Sequence, residues 1–193
     1  MKRLVPAVLG VLLACGAAAQ SEPPECYGHH PYAEADPAEL GAAGNYRDTG
    51  RTVRLLAPAA QAFQEMQKAA ATQGVRLVPI SGFRRRAYQA GLFRRAVERY
   101  GSEQAAARWV APPGCSEHHT GRALDLGDET RPDCDVELCF QKTPAYRWMQ
   151  ANAERFGFEL SFPAGSEPPA FEPWHWRYVG DAVGRRLFPR GRR

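Results

Sequence analysis

The sequence lacks a hydrophobic run long enough to cross a membrane, and it has little net charge. Its longest apolar run, from Leu4 to Ala14, is much shorter than the roughly 20 residues of a transmembrane helix. The formal net charge is +4, and removal of an N-terminal segment with Lys2 and Arg3 would lower it to about +2. Such a charge gives no reason to expect nucleic acid as a partner. No internal repeat or low-complexity segment is visible, so we expect one globular domain.

The first 19 residues are typical of a secretory signal peptide. Two basic residues, Lys2 and Arg3, precede the apolar run, and small residues follow it up to Ala19. The residues around Cys15 also resemble a bacterial lipoprotein box, in which a lipidated cysteine becomes the new N-terminus. Cleavage after Ala19 and lipidation of Cys15 therefore remain alternatives. Both predict an extracytoplasmic protein, in the periplasm or cell envelope or secreted, and only lipidation would attach it to a membrane.

The remaining cysteines are Cys26, Cys115, Cys134 and Cys139. An even number in an oxidising compartment favours two disulfides, for which three pairings are possible. Cys134 and Cys139 are close enough in sequence to close a small loop, which would leave Cys26 to tie the N-terminal arm to Cys115. The alternative is a structural zinc site made of thiolates, although the spacing is not that of a zinc ribbon.

Periodicity and turn residues predict an α+β fold with a small antiparallel sheet backed by helices. On the second predicted helix we expect Tyr88, Leu92, Phe93 and Val97 to face inward. The predicted division of the chain is a signal peptide (1–19, or ending at Cys15), an irregular Pro-containing arm (20–51), a domain (52–184) and a basic tail (185–193). The predicted helices are 57–73, 86–100 and 143–157, and the predicted strands are 75–80, 122–127, 158–162 and 174–179.

Two separated segments carry the residues of a candidate metal site. His118 and Asp125 are seven residues apart, which in one helix would place them about 10 Å apart along the axis, too far to share a metal at about 2 Å. We therefore expect a turn at Gly121 and a strand after it. Strand alternation then puts Asp125 on one face, and it puts His175 and Arg177 on one face of the last strand. If these strands are neighbours, Asp125 and His175 point at the same place.

At these residues the chain resembles the vancomycin-resistance-type D-alanyl-D-alanine carboxypeptidases, which are zinc peptidases that trim bacterial cell-wall peptides. The motifs that carry the resemblance are Ser81-Gly82-Phe83-Arg84, the segment from Ser116 to Asp125, and Glu172-Pro173-Trp174-His175-Trp176. It covers roughly residues 55–181. It implies the fold that this family shares with the signalling domain of hedgehog proteins, in which a small antiparallel sheet holds the metal.

The resemblance also implies roles for single residues. One Zn²⁺ per chain would be held by His118, Asp125 and His175. Glu172 would be the general base that takes a proton from water, and Arg84 would steady the scissile carbonyl as negative charge develops on its oxygen.

Four further residues are possible parts of the site. Ser116 and Gln89 match positions that contact substrate in the family. Arg177 could hold the terminal carboxylate of a substrate, with a structural ion pair as the alternative. His119 stands where the family commonly has Gln and could be mistaken for a ligand, but we expect it to point away from His118.

The function expected from the resemblance is removal of the terminal D-alanine from peptidoglycan stem peptides by a monomeric enzyme. A D,D-enzyme would trim the pentapeptide and an L,D-enzyme the tetrapeptide, and both need the same metal chemistry. One alternative is an endopeptidase with the same site. Another is a zinc-containing binding module without activity, against which the presence of Glu172 and Arg84 argues.

Overall fold

The structure is a computed structural model that describes residues 25–165 and 169–188. The predicted signal peptide, Cys15 and the last residues of the basic tail lie outside these ranges. The elements within them are connected by turns and short 3₁₀ segments. They are β1 (Leu40–Asn45), β2 (Thr52–Leu56), α1 (Ala57–Ala71), β3 (Leu77–Ser81), α2 (Arg86–Tyr100), α3 (Glu103–Ala107), β4 (Ala123–Asp128), α4 (Pro144–Asn152), β5 (Phe158–Leu160), β6 (His175–Tyr178) and α5 (Ala182–Leu187).

The main sheet has four strands in the order β3-β4-β6-β5, and all neighbouring pairs are antiparallel. Strands β1 and β2 form a separate antiparallel pair. One face of β4 supplies Leu124 and Leu126 to the main apolar core, where they lie with Phe63 and Met66 of α1 and Met149 of α4. The prediction of an α+β fold with a small antiparallel sheet is confirmed.

The prediction that the arm before Thr52 is irregular was wrong, because this region contains β1. The strand has the sequence Leu-Gly-Ala-Ala-Gly-Asn, and glycine and alanine have low strand propensity. It forms because Leu40 and Ala43 are buried and because β2 offers a partner edge, with Leu40 opposite Leu56. Tertiary pairing, which local sequence does not reveal, therefore decides its structure.

Helix α2 has the predicted limits, and its predicted inward face is confirmed in part. Phe93 is buried and Val97 packs against the apolar cluster that contains it. Tyr88, by contrast, is 61% exposed, and Gln89 and Ala96 are buried instead. Tyr88 and Leu92 also stand at helical spacing, so periodicity alone did not separate the two faces. The observed face brings a polar side chain, Gln89, into the interior.

The third predicted helix begins as expected and ends earlier. The hydroxyl of Thr143 accepts a hydrogen bond from the backbone N–H of Tyr146 (3.1 Å), which caps the start of α4. The α-helix ends at Asn152, and a 3₁₀ segment continues it to Phe156 before Gly157.

Two disulfides join Cys26 to Cys115 and Cys134 to Cys139. This is the pairing that the short spacing of Cys134 and Cys139 favoured. Cysteines joined in this way cannot act as thiolate ligands, so the alternative of a structural zinc held by them is wrong. None of the helices within the described ranges has the length and apolar character that a bilayer crossing requires.

Candidate metal centre

Strands β4 and β6 bring an aspartate and a histidine together. Asp125 and His175 are directly opposite each other in the antiparallel pair, so their side chains leave the sheet on the same face. The Nδ1 atom of His175 is 3.1 Å from Oδ1 of Asp125. Strand alternation predicts this convergence, and the structure confirms that the two strands are neighbours.

His118 comes from a 3₁₀ turn over Glu117–Thr120 that precedes β4. The hydroxyl of Ser116 accepts a hydrogen bond from the backbone N–H of His118 (3.3 Å) and so fixes the start of the turn. Gly121 ends it with φ of 66°, a left-handed conformation that glycine adopts without strain. The predicted break between His118 and Asp125 is therefore confirmed.

The orientation of the His118 ring is set by the Ser-Gly-Phe-Arg segment. Its Nδ1 atom is 2.7 Å from the carbonyl oxygen of Gly82, so Nδ1 must carry the proton and donate it. The lone pair is then on Nε2, which lies 3.3 Å from Oδ1 of Asp125. Gly82 itself packs closely on β2, since a Cβ atom at that position would overlap the carbonyl oxygen of Arg54.

The three side chains form a buried group that could hold one metal ion. One ligand atom each from His118, Asp125 and His175 can be chosen so that all lie within 4.8 Å of one another, and the residues are only 2–4% exposed. Nε2 of His118 is buried and has no hydrogen-bond partner among the described residues, a condition that is costly unless something else occupies its lone pair. Two imidazoles and a carboxylate fit a zinc ion with an open coordination position.

Glu172 lies beside the group. Its Oε2 atom is 3.8 Å from Nδ1 of His175. Burial raises the pKa of Glu172 to about 8, and the nearby charge of Asp125 adds to the rise, while His175 and Arg84 oppose it. A carboxylate with a pKa near neutrality, close to a metal position, has the properties of a general base.

Arg84 contacts the oxygen of Asp125 that faces away from Nδ1 of His175. Its Nη2 donates to Oδ2 of Asp125, and its Nε donates to the hydroxyl of Ser81 (2.8 Å). Although burial favours the neutral acid, its neighbours His118, Arg84 and His175 hold the pKa of Asp125 well below its usual range. Asp125 is therefore an anion, as a metal ligand must be.

The metal group lies at a pocket of about 220 Å³, which Arg84, Gln89 and Ser116 also line. The side-chain N–H of Gln89 donates to the carbonyl of Ala111 (2.8 Å). This leaves its buried Oε1 atom without a partner among the described residues. The structure thus places both predicted substrate-contacting residues, Ser116 and Gln89, at the pocket.

Arg177 does not line this pocket. Its guanidinium makes ion pairs with Glu117 (2.8 Å) and Glu159 (2.8 Å), which is the structural alternative considered for it. His119 also lies apart from the metal group, because its Nδ1 bonds the carbonyl of Arg84 (2.7 Å) and its Nε2 accepts from Gly114 (3.0 Å).

Sequence reasoning missed two polar residues of the site. Glu117 is 5% exposed and contacts Nε2 of His175 at 3.0 Å. Its place between Ser116 and His118 was a signal, since a charged residue there must be either solvated or paired. His29 of the N-terminal arm lines the pocket and bonds the carbonyl of Ala107 at 2.7 Å. In the sequence His29 is interpreted as a loop residue of an arm that could close over the site, and the Cys26–Cys115 pairing supports that closure.

A larger groove of about 980 Å³ runs along the β5 edge of the sheet. Phe156, Leu160 and Tyr178 line it, and it contains none of the three residues of the metal group. Size alone would therefore point to the wrong place, and the chemistry of the smaller pocket identifies the candidate site.

Known proteins are similar to the chain in both sequence and structure. Residues 52–181 match the VanY family, described as D-alanyl-D-alanine carboxypeptidase. A relative named D-alanyl-D-alanine carboxypeptidase, from Enterococcus faecalis (strain ATCC 700802 / V583), is 32% identical over 139 residues, which are 66% of this chain and 49% of the relative. The chain spans about half the length of the curated relatives that it matches.

Solved structures agree with these matches. The LdcB LD-carboxypeptidase superimposes with a TM-score of 0.69 at 30% identity, over 79% of this chain and 73% of the other. VanYB in complex with D-alanine-D-alanine gives 0.62 at 26% identity, over 83% and 88% of the two chains. A VanY D,D-pentapeptidase mutant in complex with Zn(II) gives 0.58 at 27% identity, over 80% and 88%.

Proposed function

The chain belongs to the VanY D-alanyl-D-alanine carboxypeptidase family, and from this premise we propose that it is a zinc-dependent carboxypeptidase of peptidoglycan stem peptides. It removes the terminal D-alanine and uses one zinc ion. The observation that carries the proposal is the convergence of His118, Asp125 and His175 within 4.8 Å, with a separate carboxylate beside them. Relatives of known structure with bound zinc and with bound D-alanine-D-alanine support it.

The protein side chains divide the work of hydrolysis between them. Zinc, when bound, supplies Lewis-acid chemistry, which acidifies water and polarises a carbonyl. Glu172 takes a proton from the attacking water and delivers it to the leaving amine. In the metal-free protein its pKa is about 8, and a nearby divalent cation favours the ionised form that a base needs.

Arg84 stabilises the negative charge that develops on the carbonyl oxygen. Its Nε and Nη2 atoms are held by Ser81 and Asp125, while Nη1 makes no hydrogen bond to the described residues. A guanidinium stays protonated throughout the reaction, and this one needs no reorientation because two of its nitrogens are fixed. Preorganised charge of this kind lowers the barrier without cost at the moment of reaction.

The pocket favours a small terminal residue. Its volume of about 220 Å³ is below the roughly 300–1,000 Å³ of pockets that bury drug-sized ligands. The unpaired Oε1 atom of Gln89 accepts a hydrogen bond from an N–H of the substrate, and a peptide terminus offers such donors. The two disulfides fit an oxidising compartment, so we place the enzyme outside the cytoplasm, where its substrate is found.

Digestion of purified stem peptides tests the proposal. The protein is incubated with a pentapeptide ending in D-alanine-D-alanine and with the corresponding tetrapeptide. The masses of the products are then measured by mass spectrometry. Loss of one alanine from the pentapeptide identifies a D,D-enzyme, and loss from the tetrapeptide an L,D-enzyme. A chelator should stop the reaction and zinc should restore it. No loss of alanine from either peptide would refute the carboxypeptidase, and cleavage within the stem would identify an endopeptidase instead.

A variant separates catalysis from binding. Glu172→Ala should keep its zinc and lose roughly 10²- to 10⁴-fold in kcat, the usual contribution of a general base. The matched control is Glu98→Gln on the exposed side of α2, which should behave as wild type. Equal activity of Glu172→Ala and wild type would show that another group is the base. A wild-type protein that binds zinc and peptide without turnover would be a binding module.

A further inference from the structure

A buried carboxylate lies on the far side of the His175 ring from the metal position. Glu117 is 5% exposed, and three donors surround it. Its Oε2 is 3.0 Å from Nε2 of His175 and accepts from the hydroxyl of Ser161 (2.7 Å). Its Oε1 accepts from Nη1 of Arg177 (2.8 Å). Both oxygens are therefore satisfied, and the mechanism described above does not use this residue.

These contacts decide which nitrogen of His175 keeps its proton when a metal is bound. A carboxylate paired with Arg177 only accepts hydrogen bonds, so the imidazole nitrogen next to it must be an N–H. Asp125 faces Nδ1 in the same way, so both nitrogens carry a proton in the metal-free protein. A metal ion takes the place of the proton at Nδ1, while Nε2 keeps its proton for Glu117. Nδ1 is the atom that lies 3.1 Å from Oδ1 of Asp125 and 3.8 Å from Oε2 of Glu172, which is the metal position.

The carboxylate is itself held in place. Arg177 is anchored from its other side by Glu159 (2.8 Å), and its guanidinium lies over the ring of Phe188 at 5.0 Å. The ring of Phe162 lies against that of His175, with centroids 4.8 Å apart and an angle of 34° between the planes. The imidazole is thus restricted by an aromatic face and by a fixed acceptor.

We propose that Glu117 is a positioning residue for the metal, which fixes His175 with its proton at Nε2 and its lone pair directed at the ion. The inference rests on the proposed zinc site and adds a residue to it. Metal-bound histidines commonly donate their second N–H to a carboxylate, and loss of that partner weakens metal binding roughly 10- to 100-fold. The competing explanation is that Glu117 only neutralises Arg177 in the folded protein.

Three variants of the full chain distinguish these explanations. Glu117→Ala removes the acceptor at Nε2. Glu159→Gln weakens the anchoring of Arg177 but leaves Glu117 on His175, so it is the control for a purely structural role. Glu117→Gln keeps a carbonyl oxygen that can accept from Nε2, and it serves as the conservative variant if the alanine variant does not fold.

The measurements are the zinc dissociation constant, by competition with a chelator, and the NMR signal of the Nε2–H proton of His175 with its rate of exchange with water. In wild type and Glu159→Gln this proton should be hydrogen-bonded and slow to exchange, and the two proteins should bind zinc equally well. Glu117→Ala should bind zinc 10- to 100-fold more weakly, and its Nε2–H proton should exchange faster, while Glu117→Gln should lie between. The proposal is overturned if Glu117→Ala, or Glu117→Gln where only that variant folds, keeps the wild-type zinc affinity and exchange rate.

The outcome for the proposed function is separate. A wild-type protein that binds no zinc would refute the zinc enzyme. The exchange rate of the Nε2–H proton of His175 in the metal-free protein would still decide whether Glu117 holds the ring.

Discussion

The two walls of the pocket are held in place in different ways. The wall that we call the metal wall consists of β4, β6 and the turn over Glu117–Thr120. Sheet hydrogen bonds and buried polar contacts fix its side chains. The wall that we call the arm wall consists of His29, Gln89 and Trp109. Side chain-to-carbonyl hydrogen bonds and the Cys26–Cys115 disulfide hold it.

We expect the metal wall to carry the reaction and the arm wall to contribute to substrate binding. On the metal wall, a two-strand register aligns Asp125 with His175, so the positions of reacting groups follow from the hydrogen bonds of the sheet. On the arm wall, His29 contacts Ala107, 78 residues away in sequence. Damage to the metal wall should therefore abolish the reaction. Damage to the arm wall should weaken substrate binding and stability and leave the metal in place.

The largest effect is expected from removing a metal ligand. His118→Ala and Asp125→Ala should each weaken zinc binding by more than the roughly 100-fold that loss of an outer contact costs, because one of three protein ligands disappears. Activity should fall with the metal content, which is measured by elemental analysis after dialysis. His119→Gln is the control, since His119 lies apart from the metal group, and it should keep its zinc. Undiminished zinc in both ligand variants would place the site elsewhere.

The second prediction compares the two disulfides. In the chain-entropy picture a link across 89 residues stabilises by about 4–5 kcal/mol, and one across 5 residues by about 2 kcal/mol. Replacing Cys26 and Cys115 together by serine should lower the free energy of unfolding by the larger amount, and replacing Cys134 and Cys139 by the smaller. Denaturant titrations measure both.

The same variants test the separation of the two walls. Loss of the Cys26–Cys115 link should raise KM for the stem peptide, because the arm wall loosens, while zinc content stays at the wild-type level. The Cys134–Cys139 loop carries Val136, which also lines the pocket, so the control is Glu98→Gln on the exposed side of α2, which should leave KM unchanged. A fall in zinc content in the Cys26–Cys115 variant would show that the arm also supports the metal wall.

The metal wall could be predicted from the sequence, and most of the arm wall could not. Asp125 and His175 follow a two-residue alternation, and Gly121 marks the break before β4, so local rules and a resemblance sufficed for the three side chains that converge. The arm wall depends on which distant segments meet. No local pattern places His29 beside Ala107, and β1 has a composition that disfavours strands.

Glu117 illustrates the limit within a recognised motif. A glutamate in a polar turn is ordinarily solvated, and only the partners that the fold supplies, Arg177 and Ser161, make its burial possible. The choice between Tyr88 and Gln89 on α2 failed for a similar reason, because both positions satisfy helical spacing. Sequence periodicity predicts that a segment is helical, and the neighbouring elements decide which face of the helix is buried.

The third prediction concerns a charged side chain that contacts the metal wall and is not a ligand. Arg84→Met should lower kcat roughly 10²- to 10³-fold, as expected for loss of one preorganised group at a developing oxyanion. Assays at saturating zinc separate this effect from any weakening of Asp125 as a ligand. Arg85→Met, one residue along and exposed, should behave as wild type. An unchanged kcat for Arg84→Met would remove Arg84 from the mechanism.

The smallest effect is expected from the arm wall at acid pH. Burial lowers the pKa of His29 below its usual value of 6.5, and the charge of His175 adds to this, while the bond to Ala107 and the charge of Glu117 oppose it. Below pH 6.5 the unfolded chain therefore binds a proton at His29 that the folded protein does not yet bind. Stability must fall as the pH decreases through this window, and His29 contributes no further loss once it is also protonated in the folded state.

His29→Gln keeps an N–H donor for the carbonyl of Ala107 but does not titrate. The difference in unfolding free energy between wild type and this variant should therefore shift in favour of the variant as the pH is lowered from 8 to 5, in denaturant titrations at saturating zinc. The other titrating groups are present in both proteins and largely cancel in the difference. Parallel curves would mean that His29 has the same proton affinity folded and unfolded. The arm wall would then be mobile and open to solvent. The two walls would differ in mobility, and not only in the contacts that hold them.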